Sequence, residues 1–304
     1  MPTMKVVFRI DDVGYSDISN LGAFKSIDHG VASMVELMPD TPGAIKALEF
    51  LRQRPWISVN WHSHFWGSPV AGAENVPSLI AEDGRFTTDH KIHRPITDNW
   101  DLEELITECR AQVMRFVKVL GHAPDATDVG DTSSSIIAKA KKIVCDEFGI
   151  AYGYSNYWHY GPGFIKGHMT GPNISPFYNA EKWGDKKIFE YENFGRPGLL
   201  LMDYRKYDPM EMIKTMPESD NIWVRSSHPG YVCDLVWDDT WDNCSITRCK
   251  DVEMLCSEEM RSWILERNVE IINLHDALYG THDYQDHLIR IGSPLAFAGK
   301  GGSR

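Results

Sequence analysis

Hydrophobic positions along the chain follow two different periods, and the two kinds of segment alternate from the N-terminus onward. Residues 5–10 are rich in β-branched side chains, which is typical of a buried strand. Residues 20–29 instead carry apolar side chains at helical spacing, and residues 102–120 show the same spacing over a longer stretch. This alternation predicts a parallel sheet with helices packed outside it.

The same alternation continues over most of the chain. Further strands are predicted at residues 31–38, 56–61, 222–226 and 269–274, and further helices at residues 41–51, 132–148 and 257–267. The number of strand–helix units favours closure into a (β/α) barrel over a doubly wound sheet. We expect one barrel domain over residues 1–294 and a flexible, Gly-rich C-terminal tail over residues 295–304.

The composition of the chain limits which partners it can bind and indicates the cellular compartment in which we expect it. The 304 residues carry 31 basic and 43 acidic side chains, a formal net charge of −12. Nucleic acids and anionic membranes both require a basic face, so neither is expected as a partner. No run approaches the ~18 apolar residues of a bilayer-spanning helix. The N-terminus lacks a signal-peptide pattern and the six cysteines form no CxxC pair, so we expect a cytoplasmic protein with reduced thiols.

Residues capable of acid–base or metal chemistry follow the predicted strands, at the ends where active sites gather in such folds. Asp11 and Asp12 follow the first strand, and two adjacent carboxylates can divide the roles of cation ligand and base. The alternative is a helix cap followed by a turn. His62 and His64 follow the third strand, where alternation places both on one side, as metal ligands require.

Two further histidines complete the candidates for chemistry. His228 precedes Pro229 and Gly230 in a rigid turn, and an unperturbed imidazole pKa of ~6.5 suits a general acid or base. The alternative is a histidine that only caps a carbonyl group. His275 lies at the end of the last predicted strand, where a histidine that is only oriented by Asp276 is the more ordinary explanation.

In this order, the segments resemble the motifs of the YdjC-like carbohydrate deacetylases, a family that includes chitooligosaccharide and hopanoid-associated sugar deacetylases. The resemblance covers about residues 5 to 280. The matching segments are residues 11–14 against Ala-Asp-Asp-Phe-Gly, residues 59–62 against Gly-Leu-His-Leu, residues 67–70 against Gly-x-Pro-Val, residues 121–128 against Gly-x-x-Pro-x-x-x-Asp, and residues 228–231 against His-Pro-Gly-Tyr.

The resemblance implies a barrel related to the polysaccharide deacetylases and the metal-dependent removal of an acetyl group. By position, it makes Asp12 and His62 metal ligands, Asp11 the base that deprotonates the metal-bound water, and His228 the group that supplies or orients the proton for the leaving amine. It also implies a divalent cofactor, zinc or magnesium, and an N-acetyl sugar or chitooligosaccharide-like substrate. A homodimer is implied by the resemblance alone.

One position departs from the family pattern. The family's third metal ligand is a histidine, and this chain has Gly130 there. Asp131 is the substitute ligand that we expect, and His64 and Asp128 are the alternatives. Catalytic metal sites normally supply three protein ligands. Because the third is missing at its usual position, two other functions stay open. One is hydrolysis of a different amide or ester, and the other is carbohydrate binding by a catalytically altered protein.

Substrate recognition is expected from flat aromatic faces and polar groups around this site. Arg9 shares a strand face with Asp11 and is expected to pair with a carboxylate in the site and lower its pKa, or to form an ordinary structural ion pair. The full set of candidate substrate-binding residues is Arg9, His64, Trp66, Tyr157, Trp158, Tyr231 and His275.

Overall fold

The computed structural model describes residues 4–89, 94–128, 135–153, 173–174, 188–191, 208–214, 216, 222–232 and 242–297. Its strands and helices alternate as the sequence pattern predicts. The strands are β1 Lys5–Val13, β2 Met34–Leu37, β3 Ser58–Trp61, β4 Thr88–Asp89, β5 Arg94–Pro95, β6 Ala126–Asp128, β7 Ala151–Gly153, β8 Asn173–Ile174, β9 Ile188–Tyr191, β10 Ile222–Ser227 and β11 Glu270–Ile271.

Nine of these strands form one sheet in the order β7-β6-β3-β2-β1-β10-β9-β8, and β11 also pairs with β1. Every described pair in this sheet is parallel except β8 with β9. Strands β4 and β5 form a separate antiparallel ribbon. The prediction of an α/β fold with a parallel, barrel-like sheet is confirmed. In the described part of the chain the sheet is an open path from β7 to β8, a half-barrel with β1 near its middle.

The helices are α1 Asp17–Asp28, α2 Ala44–Arg52, α3 Leu102–Leu120, α4 Ile136–Phe148, α5 Pro209–Lys214, α6 Asp242–Leu255, α7 Glu258–Glu266, α8 Leu274–Tyr279 and α9 Asp283–Arg290. Capping side chains explain where several begin. Asp101 accepts hydrogen bonds from the first turn of α3, and Gly121 ends that helix in the left-handed conformation. Among the described residues, no helix is both long and apolar enough to cross a membrane.

The core occupies both faces of the sheet. From Val6 onward every residue of β1 is buried. Val6, Phe8 and Ile10 belong to the large hydrophobic cluster, whereas Val7 belongs to a smaller one. Since alternate residues of a strand face opposite sides, the small cluster marks the other face of the sheet. Arg9 lies two residues after Val7 and therefore faces the same side of the sheet. On that face, polar side chains replace apolar ones towards the carboxyl end of β1.

The prediction of a strand over residues 269–274 is wrong in its second half. Only Glu270–Ile271 pairs with β1, and Leu274 already begins α8. Asn273 causes the change, because its side chain accepts a hydrogen bond from the Asp276 N–H and caps the helix. Beyond residue 297, the predicted tail lies outside the described residues.

Candidate active site

The carboxyl end of β1 contains a bulge that brings two successive carboxylates into one site. Ile10 pairs with Val35 of β2, and Val13 then pairs with Leu37, so β1 uses one residue more than β2 over this stretch. Asp12 has a φ of 58°, the left-handed region that costs an L-residue roughly 1–2 kcal/mol. Such backbone strain is concentrated at functional sites.

A role for Asp12 as a helix cap is ruled out by the next residues. Ser16 caps α1, and its side chain accepts a hydrogen bond from the Ser19 N–H at 3.0 Å. Asp12 instead faces side chains from other elements. The strained conformation therefore serves contacts of the carboxylate and not the start of the helix.

Asp11 is held by an arginine from its own strand. Arg9 Nη2 donates a hydrogen bond to Asp11 Oδ2 at 2.9 Å, and Arg9 Nε lies 2.8 Å from Oδ1. His228 Nε2, at the end of β10, lies 3.6 Å from Asp11 Oδ2. Asp11 is only 3% exposed, so the carboxylate is fixed between a guanidinium and an imidazole with little contact with bulk water.

Asp12 gathers two histidines on one oxygen and an arginine on the other. Its Oδ1 lies 3.2 Å from His62 Nε2 and 3.6 Å from His64 Nε2. Arg248 of α6 donates a hydrogen bond from Nη2 to Oδ2 at 2.6 Å. Burial acts to raise the pKa of Asp12, but Arg248, the hydrogen bond with His62 and the nearby His228 outweigh burial and hold that pKa well below its usual range.

His62 lies between two carboxylates. Its Nδ1 is 3.5 Å from Glu36 Oε2, and the other oxygen of Glu36 accepts a hydrogen bond from Asn60 Nδ2 at 3.0 Å. Burial would lower the pKa of His62, but the hydrogen bond to Asp12 and the charges of Glu36 and Asp11 raise it to about 9. Because a proton and a metal ion compete for the ring nitrogen, binding of a metal ion at His62 would release a proton.

His64 lies on the loop that follows β3, which we call the β3 loop (residues 62–71). Its ring stacks on Trp66, with 4.2 Å between centroids and 19° between planes. Between these two residues, Phe65 has a φ of 55°. Its ring is fully buried, edge-on to Phe86 at 5.3 Å and to Trp100 at 5.4 Å. The buried Phe65 thus anchors the loop while His64 and Trp66 stack on each other.

His228 is placed by the turn that follows β10. Its backbone N–H donates a hydrogen bond to Asp251 Oδ2 of α6 at 2.8 Å. Gly230 packs directly against Gly22 of α1, where a Cβ on Gly22 would lie 2.6 Å from the Gly230 Cα. Tyr231, the next residue, is partly exposed. Two helices therefore fix the backbone that presents the imidazole to Asp11.

The donor set of Asp12, His62 and His64 fits a divalent metal ion. One ligand atom from each lies within 4.8 Å of the other two, and the two Nε2 atoms are 2.7 Å apart. Donor atoms that share one zinc ion at about 2.0–2.2 Å lie within roughly 4 Å of one another, so these three side chains are close enough to hold one ion. A catalytic metal site usually has three protein donors and leaves the remaining coordination positions of the ion to water or substrate.

The structure brings together most of the residues that the sequence singled out. Asp11, Asp12, His62, His64 and His228 lie around one point at the carboxyl ends of β1, β3 and β10, with Arg9 and Trp66 beside them. Gly130, Asp131, Tyr157 and Trp158 lie outside the described residues, and only the backbone of Asp128 is described.

The candidate His275 is not brought to this site. It lies on α8, whose first N–H, from Leu274, donates to Ser58 Oγ at 3.0 Å, at the amino end of β3. Its ring nitrogen Nδ1 lies 3.2 Å from both Thr281 Oγ1 and Asp283 Oδ2. His62 follows the carboxyl end of β3. His275 therefore lies near the opposite, amino end of the strand, away from the site. Thr281 and Asp283 contact His275 directly, and Asp276 acts only through Thr281, whose hydroxyl donates to Asp276 Oδ1 at 2.7 Å.

Two site residues escaped the sequence interpretation. Arg248 contacts Asp12 from 236 positions away, and nothing in its helix distinguishes it from other surface arginines. Glu36 lies within the strand predicted over residues 31–38 and is buried (7% exposed). A glutamate within a strand that pairs on both sides is itself a signal, because acidic side chains are rarely buried without a partner.

Comparison with known proteins identifies the family of the chain. The family model of the YdjC-like proteins matches residues 5–266. Carbohydrate deacetylase 2 of Listeria innocua serovar 6a is 25% identical over 286 residues, 90% of this chain and 98% of the relative. A carbohydrate deacetylase of Enterococcus faecalis is also 25% identical, over 288 residues that make up 90% of this chain and 98% of the relative.

A solved structure shares the fold. It is a protein of Enterococcus faecalis provisionally named a cellobiose-phosphate cleavage protein, with a TM-score of 0.64 and 19% identity over 91% of this chain and 99% of that one. At this identity the likeness concerns the fold alone. The family match spans most of the chain, from β1 to the end of α7, and the chain therefore belongs to the family of YdjC-like proteins.

Proposed function

We propose that this protein is a metal-dependent carbohydrate deacetylase that hydrolyses the acetamido group of an N-acetylated mono- or oligosaccharide. The observation that carries the proposal is the convergence of Asp12, His62 and His64 on one point, beside the buried pair of Asp11 and His228. The curated relatives that span nearly the whole chain are named carbohydrate deacetylases, which supports the same reaction class.

Asp12 Oδ1, His62 Nε2 and His64 Nε2 would hold the ion. When bound, it would polarise the amide carbonyl and activate water, with a pKa near 7. Two imidazoles in the donor set favour zinc over magnesium, which prefers oxygen ligands. Arg248 occupies Asp12 Oδ2, which leaves Oδ1 facing the histidines. Asp131 remains a proposed additional ligand.

Asp11 is the proposed general base. Arg9 contacts both of its carboxylate oxygens, which fixes the plane of the carboxylate that accepts the proton from the attacking water. His228 Nε2 lies 3.6 Å from Asp11 Oδ2, so the two groups face the same reacting centre. The imidazole is the proposed donor of a proton to the leaving amine, without which an amide is a poor substrate for hydrolysis.

The sugar ring would lie against the aromatic side of the site. Trp66 stacks on His64 and Tyr15 meets Trp66 edge-on with ring centroids 6.1 Å apart. Flat aromatic surfaces next to polar groups bind sugar rings through their apolar faces. Tyr231, Tyr157 and Trp158 remain proposed contributors to the same surface.

The test is acetate release from N-acetylglucosamine and its short β-linked oligomers. Chelator-treated protein reloaded with zinc should release acetate, and Asp11→Asn should lose at least about 100-fold in turnover, the lower range for removing a general base. Asp17→Asn is the matched control, because the Asp17 side chain is exposed and pairs with Lys46 Nζ at 3.1 Å, on the surface. The control should keep full activity.

Two results would redirect the proposal. Unchanged turnover in Asp11→Asn would contradict the role of that residue as base. Inert acetyl sugars together with cleavage of another acyl compound would favour hydrolysis of a different amide or ester.

A further inference from the structure

A glutamate of α3 is buried directly beneath the β3 loop. The side chain of Glu108 is fully inaccessible to solvent. Its Oε1 accepts a hydrogen bond from the Val70 N–H at 3.0 Å, and its Oε2 accepts one from the Ala71 N–H at 2.8 Å. One carboxylate therefore binds two successive backbone amides at the far end of the loop that carries His64 and Trp66.

Two successive side-chain hydrogen bonds connect this carboxylate to the start of the loop. Gln112, one turn further along α3, donates from Nε2 to Glu108 Oε1 at 2.8 Å. The indole of Trp61, the last residue of β3, donates to Gln112 Oε1 at 2.8 Å. The last residue of β3 and the end of the β3 loop are thus connected through two side chains of the same helix face.

The middle of the β3 loop is fixed by a second buried carboxylate. Asp40 Oδ2 accepts a hydrogen bond from the Gly67 N–H at 2.8 Å, and the Asp40 carbonyl accepts one from the Ser68 N–H at 3.1 Å. The backbones are so close that a Cβ on Gly67 would lie 1.8 Å from the Asp40 carbonyl oxygen. This contact requires glycine and allows the loop only one path.

These contacts surround the strained part of the loop. Phe65 has a positive φ, a conformation that is an outlier for a bulky side chain and needs surrounding structure to hold it. Its backbone is the link between His64 and Trp66. The Glu108 contacts support this segment from its far side. Their loss would loosen the path on which Phe65 holds the metal donor and the aromatic face in place.

We propose that Glu108 is a positioning residue of the metal centre, which holds the β3 loop through the Val70 and Ala71 amides so that His64 meets Asp12 and His62. This inference rests on the proposed function, because it takes those three side chains as the metal donors. Glu108 contacts neither metal nor substrate and acts through the backbone of the loop.

The test compares the zinc affinity of the chelator-treated protein with that of two variants, by titration calorimetry. Glu108→Gln has only one acceptor oxygen for the two amides and should weaken zinc binding about 10-fold, the lower end of the loss caused by removing a direct partner of a metal ligand. Glu104→Gln is the matched control, since Glu104 lies one turn earlier on α3 and accepts the Ser78 N–H at 2.7 Å, outside the β3 loop. It should bind zinc within twofold of wild type.

A second variant covers the case in which Glu108→Gln does not fold. Gln112→Met keeps a similar volume and leaves the carboxylate in place, but removes its side-chain donor and the acceptor for Trp61. Zinc binding should weaken by a smaller factor, and the amides of residues 62–71 should exchange hydrogen faster while those of residues 73–79 do not.

The outcomes separate this inference from the proposed function. Equal zinc affinity in wild type and in the folded Glu108 or Gln112 variant would overturn the positioning role and leave the metal centre intact. Failure of wild type itself to bind zinc, manganese or iron(II) would overturn the metal centre and this inference with it.

Discussion

Asp12 has a left-handed backbone, one carboxylate oxygen that faces two histidines and a second oxygen that is paired with Arg248. Its positive φ follows from the β1 bulge, and the bulge lets adjacent aspartates approach different partners. Asp11 meets Arg9 and His228, whereas Asp12 meets the two histidines and Arg248. A regular strand would have pointed one of the two carboxylates to the opposite face.

The backbone at this position can be tested separately from the charge. In metal-free protein, Asp12→Ala should be less stable than Asp12→Asn by at least about 1 kcal/mol, since asparagine tolerates the left-handed region and alanine does not. The measurement is urea unfolding in the presence of chelator. Asn268→Ala, at another position with positive φ (53°), gives the backbone cost outside the site. Equal stability of the two Asp12 variants would contradict the strain.

Glu108 makes the free energy of unfolding of the protein depend on pH. Burial raises the pKa of Glu108 to about 7, against 4.5 for an ordinary glutamate, although the amides of Ala71 and Val70 and the side chain of Gln112 act to lower it. Between these values the folded state keeps a proton that the unfolded state releases. The contribution is therefore fully present below pH 4.5 and is lost as the pH rises to about 7.

The free energy of unfolding of wild type, minus that of Glu108→Gln, should consequently be larger at pH 5 than at pH 8. Urea unfolding of both proteins at the two pH values measures this difference, and taking the difference cancels the other titrating groups. A difference independent of pH would show that Glu108 does not change its protonation in this range.

At the scale of elements, the contact between α1 and the turn after β10 decides how His228 is presented. Gly22→Ala should destabilise the protein by about 1–3 kcal/mol, the usual cost of overpacking, although alanine is the better helix former. The added Cβ would collide with the Gly230 backbone and displace the turn that carries His228, so acetate release should also fall.

Urea unfolding and the acetate assay measure both effects of Gly22→Ala. Leu21→Ala, an exposed neighbour on α1, should leave both nearly unchanged. An increase in stability of about 0.5–1 kcal/mol, as helix propensity alone would give, would be incompatible with the close packing.

The elements that could be predicted from the sequence are those with local signals. Helix α3 has both its predicted bounds, because Asp101 and Gly121 mark them in the sequence. The start of α1 was placed too late, since the capping box uses two serines and not the usual acidic partner. The end of the last predicted strand failed for the related reason that Asn273 caps a helix.

At the scale of the whole molecule, the site is assembled from strands far apart in the sequence. Asp11, Asp12, His62 and His228 could be predicted as candidates because each lies at or directly after the carboxyl end of a strand, and parallel strands present these ends on one edge of the sheet. The placement of β10 next to β1, and the return of β11 to the same strand, depend on packing of the complete sheet. The pairing of Arg248 with Asp12 depends on it too, and periodicity carries no information about such contacts.

The departure from the family pattern at Gly130 also bears on the whole site. In the described structure, His64 comes within 3.6 Å of Asp12 and 2.7 Å of His62, which makes it the third donor that we propose. The chemistry proposed for this protein depends on that donor set.

The most direct test is therefore the zinc content per chain, by elemental analysis, of wild type and His64→Ala after identical reloading and removal of free metal. We predict about one ion per wild-type chain and a loss of most of it in His64→Ala, with acetate release lost in parallel. Retention of a full ion by His64→Ala would contradict the assignment of His64 as the third donor. Absence of metal from wild type would contradict the metal-dependent mechanism as a whole.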